Sequence, residues 1–169
     1  ANGNGRFDDG GQRVTAAALF FQQAQAQQVN PQVLLATAEK EQSLVSRRNL
    51  PGRGILDFAM GCGDPQRNPN VLGFTNQVSC AAETLHNRFD DNMAFGRPII
   101  YPFFFRTTDG ASHAASTTCV PRRQGCVRVA FPVVDASSYA QYRYTPFVQS
   151  LLNGGGVFLF DRLWGQFGF

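Results

Sequence analysis

Glu39 and Glu41 stand two residues apart in the stretch Asn30-Pro-Gln-Val-Leu-Leu-Ala-Thr-Ala-Glu-Lys-Glu-Gln-Ser-Leu-Val45, and carboxylates so placed can do acid–base chemistry. The stretch predicts a helix: Asn30 is a good N-cap, Pro31 suits the first helical position, and no glycine interrupts the apolar run that follows. At about 100° per residue, Leu34, Ala38, Glu41 and Val45 share one face, while Gln32, Leu35, Glu39, Gln42 and Ser46 lie largely elsewhere. Glu41 is therefore expected to point inward and Glu39 outward. A carboxyl on an apolar face loses hydration, which disfavours its charged form, and this is how a general acid is made. The plain alternative is a solvated or salt-bridged side chain. Acidic composition does not account for the placement, because Glu39, Glu41 and Glu83 are the chain's only glutamates.

Further chemistry-bearing residues follow. The stretch Asp57-Phe-Ala-Met-Gly-Cys-Gly-Asp64 supplies two more carboxylates. Asp57 is either at the edge of a cleft or a helix cap, and Asp64, before Pro65, suits a turn. Asn76 and Gln77 either hydrogen-bond a ligand or satisfy backbone groups at a helix start. Tyr101 and Phe103 to Phe105 either form a stacking platform for a ligand or belong to a core.

The elements that must position these residues are mostly helical. Residues 1–13, rich in Gly and Asp, are expected to be a mobile arm or a docked turn. Helices are expected from about Arg13 to Gln28, over the Glu41 stretch, from Gly73 to Arg88 with Val78, Ala81, Ala82 and Leu85 buried, from Ser137 to Tyr144, and from Val157 to Gln166. Residues 47–70 read as a long loop, of a length that more often serves function than connection. Within 97–135 the character changes: Ile99-Ile-Tyr-Pro-Phe-Phe-Phe105 and Val127-Arg-Val-Ala-Phe-Pro-Val-Val134 are dense in aromatic and β-branched residues and predict strands of a small β-rich insert. Pro102 and Pro132 there favour edges or bends. The expected class is α+β, mainly α.

With 169 residues, 43% of them hydrophobic, the chain suits one substantial core and a single domain. No run approaches the roughly eighteen apolar residues of a membrane helix, so no membrane insertion is expected. The first residues lack the charged and hydrophobic regions of a signal peptide, which implies that any targeting segment has been removed. Cys62, Cys80, Cys119 and Cys126 form no CxxC pair, and with only His86 and His113 available no metal site is expected. Proximity favours Cys62 with Cys80 and Cys119 with Cys126, each bridge contributing roughly 2–3 kcal/mol, in an exported, extracellular protein. The net charge of +3 rests on scattered arginines with Lys40 as the sole lysine, and no basic stripe interleaved with aromatics points to nucleic acid.

The same residues carry a resemblance. Val29 to Leu44 is similar to the helix of lytic transglycosylases and goose-type lysozymes that bears the catalytic glutamate. Alignment on Pro31 and Leu34-Leu35 places Glu41 on that glutamate. Gly73-Phe-Thr-Asn-Gln-Val78 resembles the segment that helps line their glycan cleft, and Tyr142-Arg-Tyr-Thr-Pro146 falls where they present a helix-borne tyrosine near the glutamate. Lys40-Glu-Gln-Ser-Leu-Val45, Ala59-Met-Gly-Cys-Gly63 and Ala81-Ala82 look closest to an exported, largely actinobacterial branch. The likeness covers roughly residues 29–88 and 137–165, and leaves 97–135 unmatched. Two departures stand out: the usual Glu-Ser pair is Glu41-Gln42-Ser43 here, and Thr75-Asn76 replace more hydrophobic residues.

The resemblance implies a lysozyme-like helical core and an enzyme that cleaves β-1,4 bonds of peptidoglycan, as lytic transglycosylase or muramidase, without metal or organic cofactor. A monomer acting on a polysaccharide is expected. Glu41 would protonate the leaving oxygen. In the transglycosylases the substrate's N-acetyl group assists, and the same glutamate then deprotonates the muramoyl 6-hydroxyl. If Asp57 or Asp64 stands across the cleft instead, a separation of about 5–5.5 Å would imply retention and about 6.5–9.5 Å inversion. Tyr144 is expected near Glu41 or the N-acetyl group, Asn76 and Gln77 at sugar hydroxyls or acetamido groups unless they serve the backbone, and Tyr101 with Phe103 to Phe105 as a stacking platform for sugar rings unless they are core. Another β-1,4-linked polymer such as chitin, or a non-catalytic glycan-binding relative, are the alternatives.

Overall fold

The structure is a computed structural model and describes residues 6–9, 12–63, 68–90, 98–104, 126–132, 135–145, 148–149 and 156–169. Its elements are mainly helical. The chain clusters into two compact units, Ala1–Asn87 with Phe169 and Arg88–Gly168.

The first unit opens with a hairpin of β1 (Arg6–Asp9) and β2 (Gln12–Thr15), paired antiparallel with Phe7 opposite Val14. The segment expected to be a mobile arm thus contains two paired strands. Thr15 then starts α1 (Ala16–Ala26) by accepting the Ala18 N–H at 3.1 Å, a cap that satisfies one of the free N–H groups of the first turn. Asn30 caps α2 (Pro31–Gln42) in the same way, accepting from Gln32 N at 2.9 Å, with Pro31 at the helix start. The Glu41 helix ends earlier than its apolar pattern suggested: Ser43 turns left-handed at φ 51° and its N–H returns to Glu39 O, so Val45 lies outside it and is exposed.

Between α2 and the last helix of this unit run a short α3 (Arg53–Leu56) and a 3₁₀ turn (Pro69–Val71), so the long loop holds some local order. α4 (Phe74–Asp90) buries Val78, Ala81, Ala82 and Leu85 at i, i+3, i+4 and i+7, the stripe its sequence predicts. Leu19, Leu34, Ala38, Met60 and Val78 are fully enclosed, and Phe20 meets Phe74 edge to face with ring centroids 5.7 Å apart. The site residues on α2 and on the loop before α4 rest on this core.

In the second unit, β3 (Pro98–Phe104) pairs antiparallel with β4 (Cys126–Pro132), placing Tyr101 opposite Val129, and parallel with the two-residue β5 (Val148–Gln149). β3 is central, so Pro102 is not on an edge strand. The ladder to β5 covers Phe103 and Phe104. Helices α5 (Ala136–Tyr144) and α6 (Gly156–Phe167) follow, α6 stacking Phe160 on Trp164 at 5.8 Å. No helix among the described residues is long and apolar enough to cross a membrane.

Candidate active site

Helical geometry puts successive side chains about 100° apart, yet Lys40 Nζ reaches round α2 to lie 2.9 Å from Glu41 Oε1. The ammonium is the sheltered partner: the Lys40 side chain is 3% exposed and that of Glu41 27%. Glu41 therefore stands at the surface end of an ion pair, where an apolar shelter was expected. Burial pushes the Lys40 pKa below its ordinary value, against the upward pull of the charge and hydrogen bond of Glu41.

Glu39 reverses its expected role. It is buried, and its carboxylate accepts Val45 N at 2.8 Å, Ser46 N at 3.0 Å and the Ser46 hydroxyl at 2.6 Å. The chain leaves α2 at Ser43 and folds back over this side chain, covering a face that helical periodicity assigns to solvent. A buried carboxylate needs such donors, and here they come from the backbone just beyond its own helix.

Across from Glu41 lies Gly61. A Cβ placed there would be 2.7 Å from Glu41 Oε2 and 3.0 Å from its carboxyl carbon, so any side chain at this position would push the carboxylate aside. Gly61 also has φ +62°, a conformation glycine adopts without penalty. The turn that brings it there is closed by Gly61 N donating to Phe58 O at 3.0 Å.

This loop is fastened from below by Gln77, which is fully buried on α4. Its Oε1 accepts from Met60 N at 3.2 Å and Cys62 N at 3.1 Å, and its Nε2 donates to Cys62 O at 2.9 Å and Val71 O at 2.8 Å. A single amide thus satisfies backbone groups on both sides of Gly61. The expected sugar contact gives way to this internal task, since no face of the amide reaches the surface. The disulfide between Cys62 and Cys80, 6.0 Å between Cα atoms, ties the same loop to the same helix. It matches the pairing favoured by proximity; Cys119 and the Cys126 side chain lie outside what is described.

The other candidates are dispersed. Asp57 ends α3 and pairs with Arg53 Nε at 3.8 Å, the cap-like alternative to a place across a cleft. Asn76 is exposed on the first turn of α4 and donates to Leu72 O at 2.8 Å, serving the helix start. Tyr144 closes α5 in the second unit, as Tyr101 lies on β3 there, with its side chain outside what is described. The half-buried Tyr142 has its pKa raised, first by burial and then by the negative charge of Asp161. Asp64 and Phe105 also lie outside the described residues.

Comparison with family models, curated proteins and solved structures finds no match.

Two residues of the site, Lys40 and Gly61, are given no part in it by the sequence pattern. Lys40 had a signal, being the only lysine and adjacent to the candidate glutamate. Gly61 had almost none, because a glycine in a Gly-rich loop does not announce which side chain will pass over it.

Proposed function

We propose that this chain is an exported glycosidase that cleaves β-1,4 bonds of peptidoglycan, with Glu41 as its acid/base. One observation supports this above the others: a partly exposed carboxylate, engaged by a buried ammonium on one oxygen and resting on a glycine whose loop is held by an amide and a disulfide. Fixed carboxylates of this kind suit proton transfer, which depends on placement before it depends on strength. The motif resemblance of the α2 and α4 segments to lytic transglycosylases and goose-type lysozymes points the same way, toward a lysozyme-like helical core.

In this scheme Glu41 protonates the leaving glycosidic oxygen, and then takes a proton either from the muramoyl 6-hydroxyl, giving an anhydro sugar, or from water, giving hydrolysis. No second carboxylate is assigned, since Asp57 is engaged by Arg53. The disulfide suits an oxidising, extracellular setting.

The same ion pair favours a second possibility, a glycan-binding relative without turnover, because a carboxylate engaged by an ammonium is less available as a donor. Glu41→Gln separates the two. Loss of product with glycan affinity retained is the enzyme's result, whereas a wild-type chain that binds purified peptidoglycan strands and releases no fragments is a binder. Turnover unchanged by the substitution would remove Glu41 from the chemistry. Fragment mass then divides transglycosylase from muramidase, since anhydro ends lack the water that hydrolysis adds, and chitin oligomers test the broader specificity.

A further inference from the structure

The Lys40–Glu41 contact and the passage of Gly61 under the same carboxylate bear on how the reaction is set up. Neighbours along a helix do not face one another, so an i, i+1 ion pair costs the lysine an extended, ordered side chain and the loss of its water. Its side chain is 3% exposed, and burying an ammonium is unfavourable unless the partner is well placed. The arrangement holds one oxygen of Glu41, Oε1, at 2.9 Å from Nζ, while Oε2 lies over the bare Cα of Gly61. Two contacts from different directions fix the plane of a carboxylate; one would leave it free to rotate.

The geometry points to Lys40 and Gly61 as positioning residues for Glu41, the ammonium occupying Oε1 so that Oε2, beside the glycine, is the oxygen that exchanges the proton. This deepens the glycosidase proposal and rests on it for its consequence in turnover, while the pairing itself can be tested without any substrate. Neither residue need touch the glycan. Both act through the orientation of the carboxylate.

Lys40 offers a direct probe, because it is the chain's only lysine and a sample labelled at lysine ¹³Cε and ¹⁵Nζ gives one side-chain signal to follow. In the wild-type protein that signal is expected to titrate below the ordinary 10.5, with a further downward shift in Glu41→Gln, where the opposing charge is gone. A lysine that titrates at 10.5 and ignores the substitution would overturn the pairing and the proposal with it. The kinetic arm uses peptidoglycan strands: Lys40→Met and Gly61→Ala are each expected to lower kcat about 100-fold with KM little changed, as misplacement of a reacting group does, and Lys40→Arg to restore part of the loss. A folded Lys40→Met chain with full kcat would refute the positioning role. If Lys40→Met does not fold, Gly61→Ala and the lysine signal still decide. Should the wild-type chain turn over no glycan while the lysine signal responds to Glu41→Gln, the pair stands and the enzymatic proposal falls.

Discussion

Gln77 shows how much one side chain can hold. It bonds to backbone groups on both sides of Gly61, and its fully buried amide makes four hydrogen bonds to the backbone around it. Gln77→Leu keeps much of the volume and leaves two N–H and two C=O groups without this partner. The expected loss is about 3–5 kcal/mol, read as a lower urea midpoint at unchanged slope. A loss below about 1 kcal/mol would mean that the loop is held by other means. At this scale the sequence showed the glutamine and its neighbourhood but not its direction, because a polar residue at a helix start serves a ligand and a backbone equally well. Glu39 and Glu41 illustrate the same limit: periodicity assigns faces relative to a helix axis, and the chain leaving α2 chose which of them to cover.

Helix starts and buried faces were the most legible features of the elements. Asn30, Pro31 and the apolar stripe of α4 were readable because capping and periodicity are local, needing no knowledge of the rest of the chain. The end of α2 was not, since the left-handed turn at Ser43 is stabilised by what Glu39 does afterwards. Helix α5 supplies a test of capping. Asp135 accepts Ser138 N at 2.7 Å and the Ser138 hydroxyl at 2.8 Å, and its pKa is lowered chiefly by that backbone N–H. A carboxyl with a depressed folded value adds stability above its ordinary 3.8, and the contribution disappears as pH falls through the folded value. Asp135→Ala is expected to cost about 1 kcal/mol at neutral pH, and less in acid. Asp135→Asn, which keeps a capping oxygen, should retain most of the stability and flatten that part of the pH profile. Unfolding free energies between about pH 2 and 6 decide it, and a wild-type slope unchanged in both variants would exclude the cap as its source.

At the scale of the whole molecule, helical content and the Cys62–Cys80 bridge were readable from pattern and proximity, because both rest on residues near one another in the chain. The bridge closes a separation of 18 residues, worth about 3 kcal/mol in the loop-entropy view. Cys62→Ala/Cys80→Ala is therefore expected to melt roughly 6–12 °C lower for a chain of this size, and a shift of under about 2 °C would show that the native fold does not depend on the cross-link. Cys62 is also the next residue after Gly61. Reduction of the bridge would therefore remove the covalent stay one residue from the glycine that backs Glu41, leaving the amide of Gln77 as the other fastening of that loop.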